Sequence, residues 1–263
     1  MQTTWQTLEL HIDGHIANLA LNRPDVRNAF NGTMVAEITQ AFRELGASQD
    51  IRAIVLLANG PAFCAGGDLA WMKSMAAFDH AQNLADARGL AQMLRAIDCC
   101  PQPVLAKVQG DCYAGGLGLV AVCDIAIAAE TANFCLSEVK LGLIPATISP
   151  YVIRAIGERF ARRYFLTAER FDAIEAQRIG LLHEAVPVEM LDARITGIAQ
   201  SLCTAGPQAV RQAKRLVHEV AGRTMDDALL ADTAGRIADV RASEEGREGM
   251  QAFLEKRKPS WLA

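Results

Sequence analysis

Twice in this chain an apolar run leads into a glycine-rich loop and then into a segment with helical period. That repeated unit constrains the fold more than any other feature. The first run is Ile51-Arg52-Ala53-Ile54-Val55-Leu56-Leu57-Ala58, and its loop is Phe63-Cys64-Ala65-Gly66-Gly67-Asp68-Leu69. The second run covers residues 104–108, and its loop is Tyr113-Ala114-Gly115-Gly116-Leu117-Gly118. Short apolar runs bounded by turn residues read as buried strands. Strands alternating with helices imply an α/β architecture with functional loops at strand ends. The registers fit a repeating strand–strand–helix spiral better than a simply alternating sheet.

The remaining elements follow from pattern. Residues 5–11 and 16–21 alternate as strands, with Asp13-Gly14 as a hairpin signal. Asn31 can cap a helix reaching about Leu45, since Met34, Val35, Ile38, Ala41, Phe42 and Leu45 recur at helical spacing. Helices are also expected over 78–97, 117–123, 153–166, 173–179, 191–203, 207–220 and 225–253, and a strand over 125–129. The expected organisation is a core over residues 1–200 and a helical region over 201–263. With 263 residues, 51% of them hydrophobic, the chain can bury a large core.

Several function classes are disfavoured by composition. The net charge is −4, and no Lys/Arg run is dense enough to track a nucleic acid. Arg159, Arg162 and Arg163 read as a solvated helix face. The seven cysteines show neither Cys-x-x-Cys nor zinc-ligand spacing, so reduced thiols, no metal and a cytoplasmic location are expected. Neither a signal sequence nor a membrane span is expected. There is no Gly-x-Ser-x-Gly elbow and no Walker motif, and the five histidines stand in unrelated contexts. Gly116-x-Gly118-x-x-Ala121, with Glu138 further on, loosely matches a dinucleotide fingerprint. That fingerprint needs an immediate strand-to-helix turn, whereas here the preceding strand ends at Val108.

Glycine-rich loops can turn backbone N–H groups outward, and two such groups aimed at one point form an oxyanion hole. Glu138 has the apolar neighbours Phe134, Leu136, Val139 and Leu141, so an exposed strand or turn competes with a partly buried, proton-exchanging carboxylate. Asp68 fits an N-cap as well as a site residue. Trp71 and Met72 suit either an acyl pocket or ordinary core packing.

These residues together resemble the crotonase superfamily, the enoyl-CoA hydratase/isomerase family. The resemblance rests on Leu21-Asn22-Arg23-Pro24, Arg27-Asn28-Ala29-Phe30, the first loop, Lys107-Val108-Gln109-Gly110 leading to Ala114-Gly115-Gly116, Cys123-Asp124-Ile125-Ala126-Ile127-Ala128, Gly142-Leu143-Ile144-Pro145 and Phe253-Leu254-Glu255-Lys256-Arg257-Lys258-Pro259. It implies a ClpP-like spiral of ββα turns, a helical trimerisation region, and a homotrimer or dimer of trimers. It implies an acyl-CoA thioester substrate, with coenzyme A present only as part of that substrate and no other cofactor. By resemblance the N–H groups of Ala65 and Gly115 bind the thioester oxygen, and Glu138 is the acid/base. Arg27, Ala29, Ala65, Gly67, Asp68, Leu69, Trp71, Gly116 and Gly118 are expected around the substrate, with Lys256 reaching phosphates from a neighbouring subunit.

The chain departs from the two-carboxylate hydratases of that family at Gly118, where they carry a first Glu. Ala146-Thr147-Ile148-Ser149-Pro150 also differs from the usual segment after Ile-Pro. The pattern is similar to bacterial 3-methylglutaconyl-CoA hydratases, which act on carboxylated acyl groups. Gly118 would remove a like charge and make room for a branch. Hydration of such a 2-enoyl-CoA by Glu138 is expected, with Δ3,Δ2-enoyl-CoA isomerisation or a catalytically weak CoA-binding scaffold as alternatives. Arg154 is a conceivable partner for a distal carboxylate.

Overall fold

The computed structural model describes residues 5–262; residues 1–4 and 263 of the expected core and helical regions lie outside them. Strands β1 (Leu8–Asp13) and β2 (Ile16–Leu21) form an antiparallel hairpin that turns at Gly14, whose φ is +55°. The first strand begins later than expected because the backbone N–H groups of Gln6 and Thr7 donate to the Glu37 carboxylate instead of a ladder. Asn31 caps α1 (Gly32–Ala47), and the six apolar residues at helical spacing form its buried face.

The repeated unit follows. Strand β3 (Ala53–Ala58) leads to the three-residue β4 (Ala62–Cys64), then to α2 (Leu69–Met75) and α3 (His80–Asp98). Strand β5 (Val104–Val108) leads to β6 (Asp111–Tyr113) and α4 (Gly115–Val122). Strand β7 (Ile125–Ala129) leads to β8 (Asn133–Cys135), a 3-10 turn (Glu138–Leu141) and α5 (Ser149–Thr167), which is broken at Gly157. Strand β9 (Phe171–Asp172), helix α6 (Ala173–Arg178) and strand β10 (Glu184–Val186) close the core.

In each unit the first strand joins one sheet and the second joins another. The large sheet runs β1-β2-β3-β5-β7-β10, and the small one runs β4-β6-β8-β9. This is the expected spiral of ββα turns. The two-to-three-residue strands of the small sheet escaped sequence reading, because so short a run has no period. Phe134 of β8 stacks on Phe171 of β9 with ring centroids 5.8 Å apart.

Helix α7 (Leu191–Thr204) packs Leu191, Ile195 and Ala199 against Val55, Leu105 and Ile127 on one face of the large sheet. The expected boundary near residue 200 therefore falls inside a helix that belongs to the core packing. Helix α8 (Pro207–Val220) follows, and then α9 (Asp227–Ala242) and α10 (Glu244–Leu254) take the place of the single helix expected over 225–253. The break is at Ser243, whose hydroxyl accepts the Gly246 N–H and caps α10. Phe253, Leu254 and Met225 stay exposed in this region.

Candidate active site

Strands β4, β6 and β8 are neighbours and mutually parallel, with Cys64 opposite Cys112 and Tyr113 opposite Cys135. Each delivers its candidate residue just past its C-terminal end: Gly67 after Cys64, Gly115 after Tyr113, Glu138 after Cys135. The carboxyl ends of parallel strands are where α/β proteins gather their ligands. The two glycine loops touch, since a Cβ placed on Gly66 (φ +90°) would lie 3.0 Å from Ala114 Cβ. Phe30 lies between them: it is bridged to Gly67 and is 3.0 Å from where a Cβ on Gly115 would stand.

The donor expected at Ala65 is corrected by its hydrogen bond. The Ala65 N–H donates to the Arg27 carbonyl at 3.0 Å and the Asp68 N–H to the Phe30 carbonyl at 2.8 Å, while the Gly66 N–H stands near the Cys64 sulfur and lowers that thiol's pKa slightly against burial. Among the described residues the Gly67 N–H has neither a backbone acceptor nor the neighbouring sulfur that the Gly66 N–H has. The second donor, Gly115, is the first residue of α4, where an N–H has no intrahelical partner. Ala114 ahead of it holds φ +48°, ψ −123°, pinned by its N–H donating to the Cys135 carbonyl at 2.8 Å. Such an outlier in a non-glycine residue is costly unless its surroundings impose it.

Glu138 opens the 3-10 turn and is half-buried, and one of its carboxylate oxygens is shielded with no hydrogen-bond partner among the described residues. Burial pushes its pKa above the ordinary carboxylate value, only partly offset by its own backbone N–H. Cys64, Cys112 and Cys135 pack behind the site as buried free thiols. Burial pushes Cys64 up to about 12 and raises the other two, so none is a ready nucleophile.

Asp68 is turned inward. One oxygen accepts the Ala70 and Trp71 N–H groups, and the other pairs with Arg23 at 2.8 Å. Burial raises its pKa, but the Trp71 N–H, Arg23 and the Ala70 N–H together hold it below the usual range. Its side chain is therefore an N-cap and a staple, not a substrate ligand. Asn28 is a second staple, buried and donating to the carbonyls of Asn59 and Ala62. Arg154, considered for a distal carboxylate, is half-exposed and pairs with Asp98 at 2.5 Å.

Arg27 and Ala65 line a cavity of about 220 Å³ together with Pro61, Ala62, Asp111 and Tyr113. Sequence reading missed Asp111 and Tyr113 as lining residues, although Tyr113 stands in the second loop. The Tyr113 hydroxyl donates to Asp111 at 2.6 Å, and the Arg170 guanidinium lies over its ring at 5.3 Å. A larger indentation of about 560 Å³ lies among Glu158, Arg159, Phe160, Arg162 and Arg163, but these arginines form the solvated face expected of them.

Of the other expected site residues, Leu69 is exposed, Ala29 is buried, and Trp71 packs on the edge of the core. Gly116 is buried against Cys64 and Cys112, and Lys256 is exposed beyond α10. Gly118 is buried as well. A Cβ on it would meet Ile148 at 2.3 Å, so the expected room for a substrate branch is already filled by this chain's own side chain.

Residues 11–263 match the family model described as enoyl-CoA hydratase/isomerase. The chain belongs to that family. Within the family it is similar to the enoyl-CoA hydratase ACTT6 of Alternaria alternata, at 35% identity over 236 residues, covering 89% of this chain and 77% of that one. The crystal structure of an enoyl-CoA hydratase from Shewanella pealeana superposes with a TM-score of 0.94 at 44% identity, covering 97% of this chain and 96% of the other. Pseudomonas aeruginosa AtuE superposes with a TM-score of 0.93 at 37% identity, covering 98% of this chain and 100% of the other. This enoyl-CoA hydratase/isomerase family member is thus an enzyme of the crotonase superfamily, with the α/β fold of its relatives. Among the described residues no helix is long and apolar enough to cross a membrane.

Proposed function

We propose that this protein adds water to a 2-enoyl-CoA thioester, with Glu138 as its single acid–base group and the N–H groups of Gly67 and Gly115 holding the thioester oxygen. The observation that carries the reading is that Gly67, Gly115 and the half-buried Glu138 follow the C-terminal ends of three neighbouring parallel strands, with no backbone acceptor for either N–H and one unpartnered Glu138 oxygen among the described residues. The Glu138 carboxylate takes a proton from water while the water oxygen bonds to C3. The C2=C3 electron pair moves toward the thioester oxygen, where the two N–H groups stabilise the developing charge. Glu138 then gives its proton to C2, completing the addition.

The acyl group in this reading is carboxylated, of the 3-methylglutaconyl type, and its methyl branch does not sit at position 118, which Ile148 fills. With glycine at 118, an anionic acyl chain meets one catalytic carboxylate instead of two. Arg27, Ala29 and Leu69 flank the CoA nucleotide in this reading, and Lys256 reaches its phosphates from a neighbouring copy. The exposed apolar residues of the C-terminal region, Met225 between α8 and α9, Leu230 on α9 and Phe253 and Leu254 on α10, fit burial in a homotrimer or a dimer of trimers.

The test is loss of the conjugated-thioester absorbance with 3-methylglutaconyl-CoA and with crotonyl-CoA in parallel. Faster loss with the first is expected, and the reverse order would sink the carboxylated-substrate reading. Isomerisation between Δ3- and Δ2-enoyl-CoA is the second reading, favoured by the absence of an acid at 118, because a 1,3-proton shift needs one base only. Solvent deuterium entering C2 or C4 without hydroxyacyl product would establish it.

A further inference from the structure

The contact between Gly118 and Ile148 has a catalytic meaning. A Cβ on Gly118 would stand 2.3 Å from Ile148 Cγ2, 3.0 Å from Ile148 Cβ and 3.4 Å from Leu94 Cδ2. The first of these distances is far inside van der Waals contact, so the two residues are matched: the branched side chain is present because glycine is opposite. Ile148 is 1% exposed and immediately precedes α5, while Gly118 lies one turn into α4, whose first residue is the oxyanion donor Gly115. The groups nearest to residue 118, Ile148 and Leu94, are apolar and can neither give nor take a proton.

We infer that Ile148 is a specificity-determining residue that closes the place of a second acid–base group and makes Glu138 the sole proton carrier of the reaction. The inference rests on the hydration proposed above. In that cycle the proton taken from water by Glu138 is the one returned to C2, because position 118 offers no alternative donor. The reacting end of the substrate meets a methyl-lined wall on this side, so the chemistry is confined to the Glu138 side. The same wedge braces the first turn of α4 and so fixes where the Gly115 N–H stands.

Four proteins test this: the parent, Gly118→Ala, Gly118→Ala/Ile148→Ala and Gly118→Glu/Ile148→Ala. Gly118→Ala is expected to melt lower and to lose about a hundredfold in kcat with little change in KM, because the clash displaces the turn carrying Gly115. Adding Ile148→Ala should recover most of both losses, and the pH profiles separate a catalytic consequence of the pairing from a purely steric one. The parent kcat/KM profile should show a single ionisation on its acid side, and Gly118→Glu/Ile148→Ala should add a second. A Gly118→Ala protein as stable and active as the parent would overturn the pairing, as would an Ile148→Ala change that deepens the loss. A folded Gly118→Glu/Ile148→Ala protein with the parent's pH profile would overturn the acid–base part. An inactive parent whose variants still show the thermal rescue would overturn the hydration reading and leave the steric pairing standing.

Discussion

The large and small sheets of this enzyme divide the labour. The large sheet has strands of five or six residues over most of its width, and β3 is apolar throughout. Leu56 and Leu105 are wholly buried there, between helices on both faces. The small sheet has strands of two or three residues, too short to hold together without the larger one. Yet Gly67, Gly115 and Glu138 all leave from the small sheet. Stability is concentrated where burial is continuous, and the proposed chemistry where strands end early and the backbone is left with unpaired groups. A backbone N–H can serve as an oxyanion donor only if the fold declines to use it, and short strands leave such groups at their ends.

Substitutions should separate the two sheets. The largest effect is expected from Glu138→Gln, which removes the proposed acid–base group and should lower kcat by about 10²–10⁴-fold, measured as hydration of the preferred enoyl thioester. Retention of most of the activity would break the assignment of chemistry to the small sheet. Leu56→Ala in β3 should do the opposite. It opens a cavity in the large-sheet core, should cost about 2–5 kcal/mol in denaturant unfolding, and should leave kcat of the folded fraction near the parent value. A kcat loss comparable to that of Glu138→Gln would show that the sheets are not separable in this way.

Asp68→Ala sharpens the boundary between them, because this residue lies within the first glycine loop and does structural work. Loss of the α2 cap and of the Arg23 partner should destabilise by about 2–3 kcal/mol, seen as a lower melting temperature. If Asp68 is only a staple, the remaining folded enzyme keeps its KM for the CoA thioester. A large rise in KM with unchanged melting would return the residue to the binding site.

The smallest effect is in pH dependence. Burial raises the Glu138 pKa in the folded protein. The native state therefore holds that proton more tightly than the unfolded chain does. The associated stability is present in acid below the unfolded value and declines as pH rises toward the native one. Glu138→Gln should accordingly melt slightly higher than the parent at neutral pH, with the difference fading in mild acid. In the same pH series, parent kcat/KM should rise with pH through an ionisation above the ordinary carboxylate range. A midpoint at or below that range would mean that Glu138 is solvated during the reaction.

The N-cap at Asn31 and the strands at 104–108 and 125–129 were readable from local pattern, because capping chemistry and continuous apolar runs are properties of neighbours in sequence. The glycine loops could likewise be recognised as turn-prone and donor-rich. Local pattern could not say which N–H of Phe63–Leu69 is free. That depends on Arg27 and Phe30, more than thirty residues away in the chain, whose carbonyls claim Ala65 and Asp68 and leave Gly67 unpaired. The inward turn of Asp68 and the Arg154–Asp98 pair were hidden for the same reason.

By itself, then, the sequence determined the repeating unit, the family and the candidate carboxylate at Glu138, since these depend on residue type, order and spacing. The tertiary structure decided which backbone groups are unspent, that the two loops touch, and that Ile148 fills the space beside Gly118. Those are matters of distance between remote segments, and no local propensity encodes a distance.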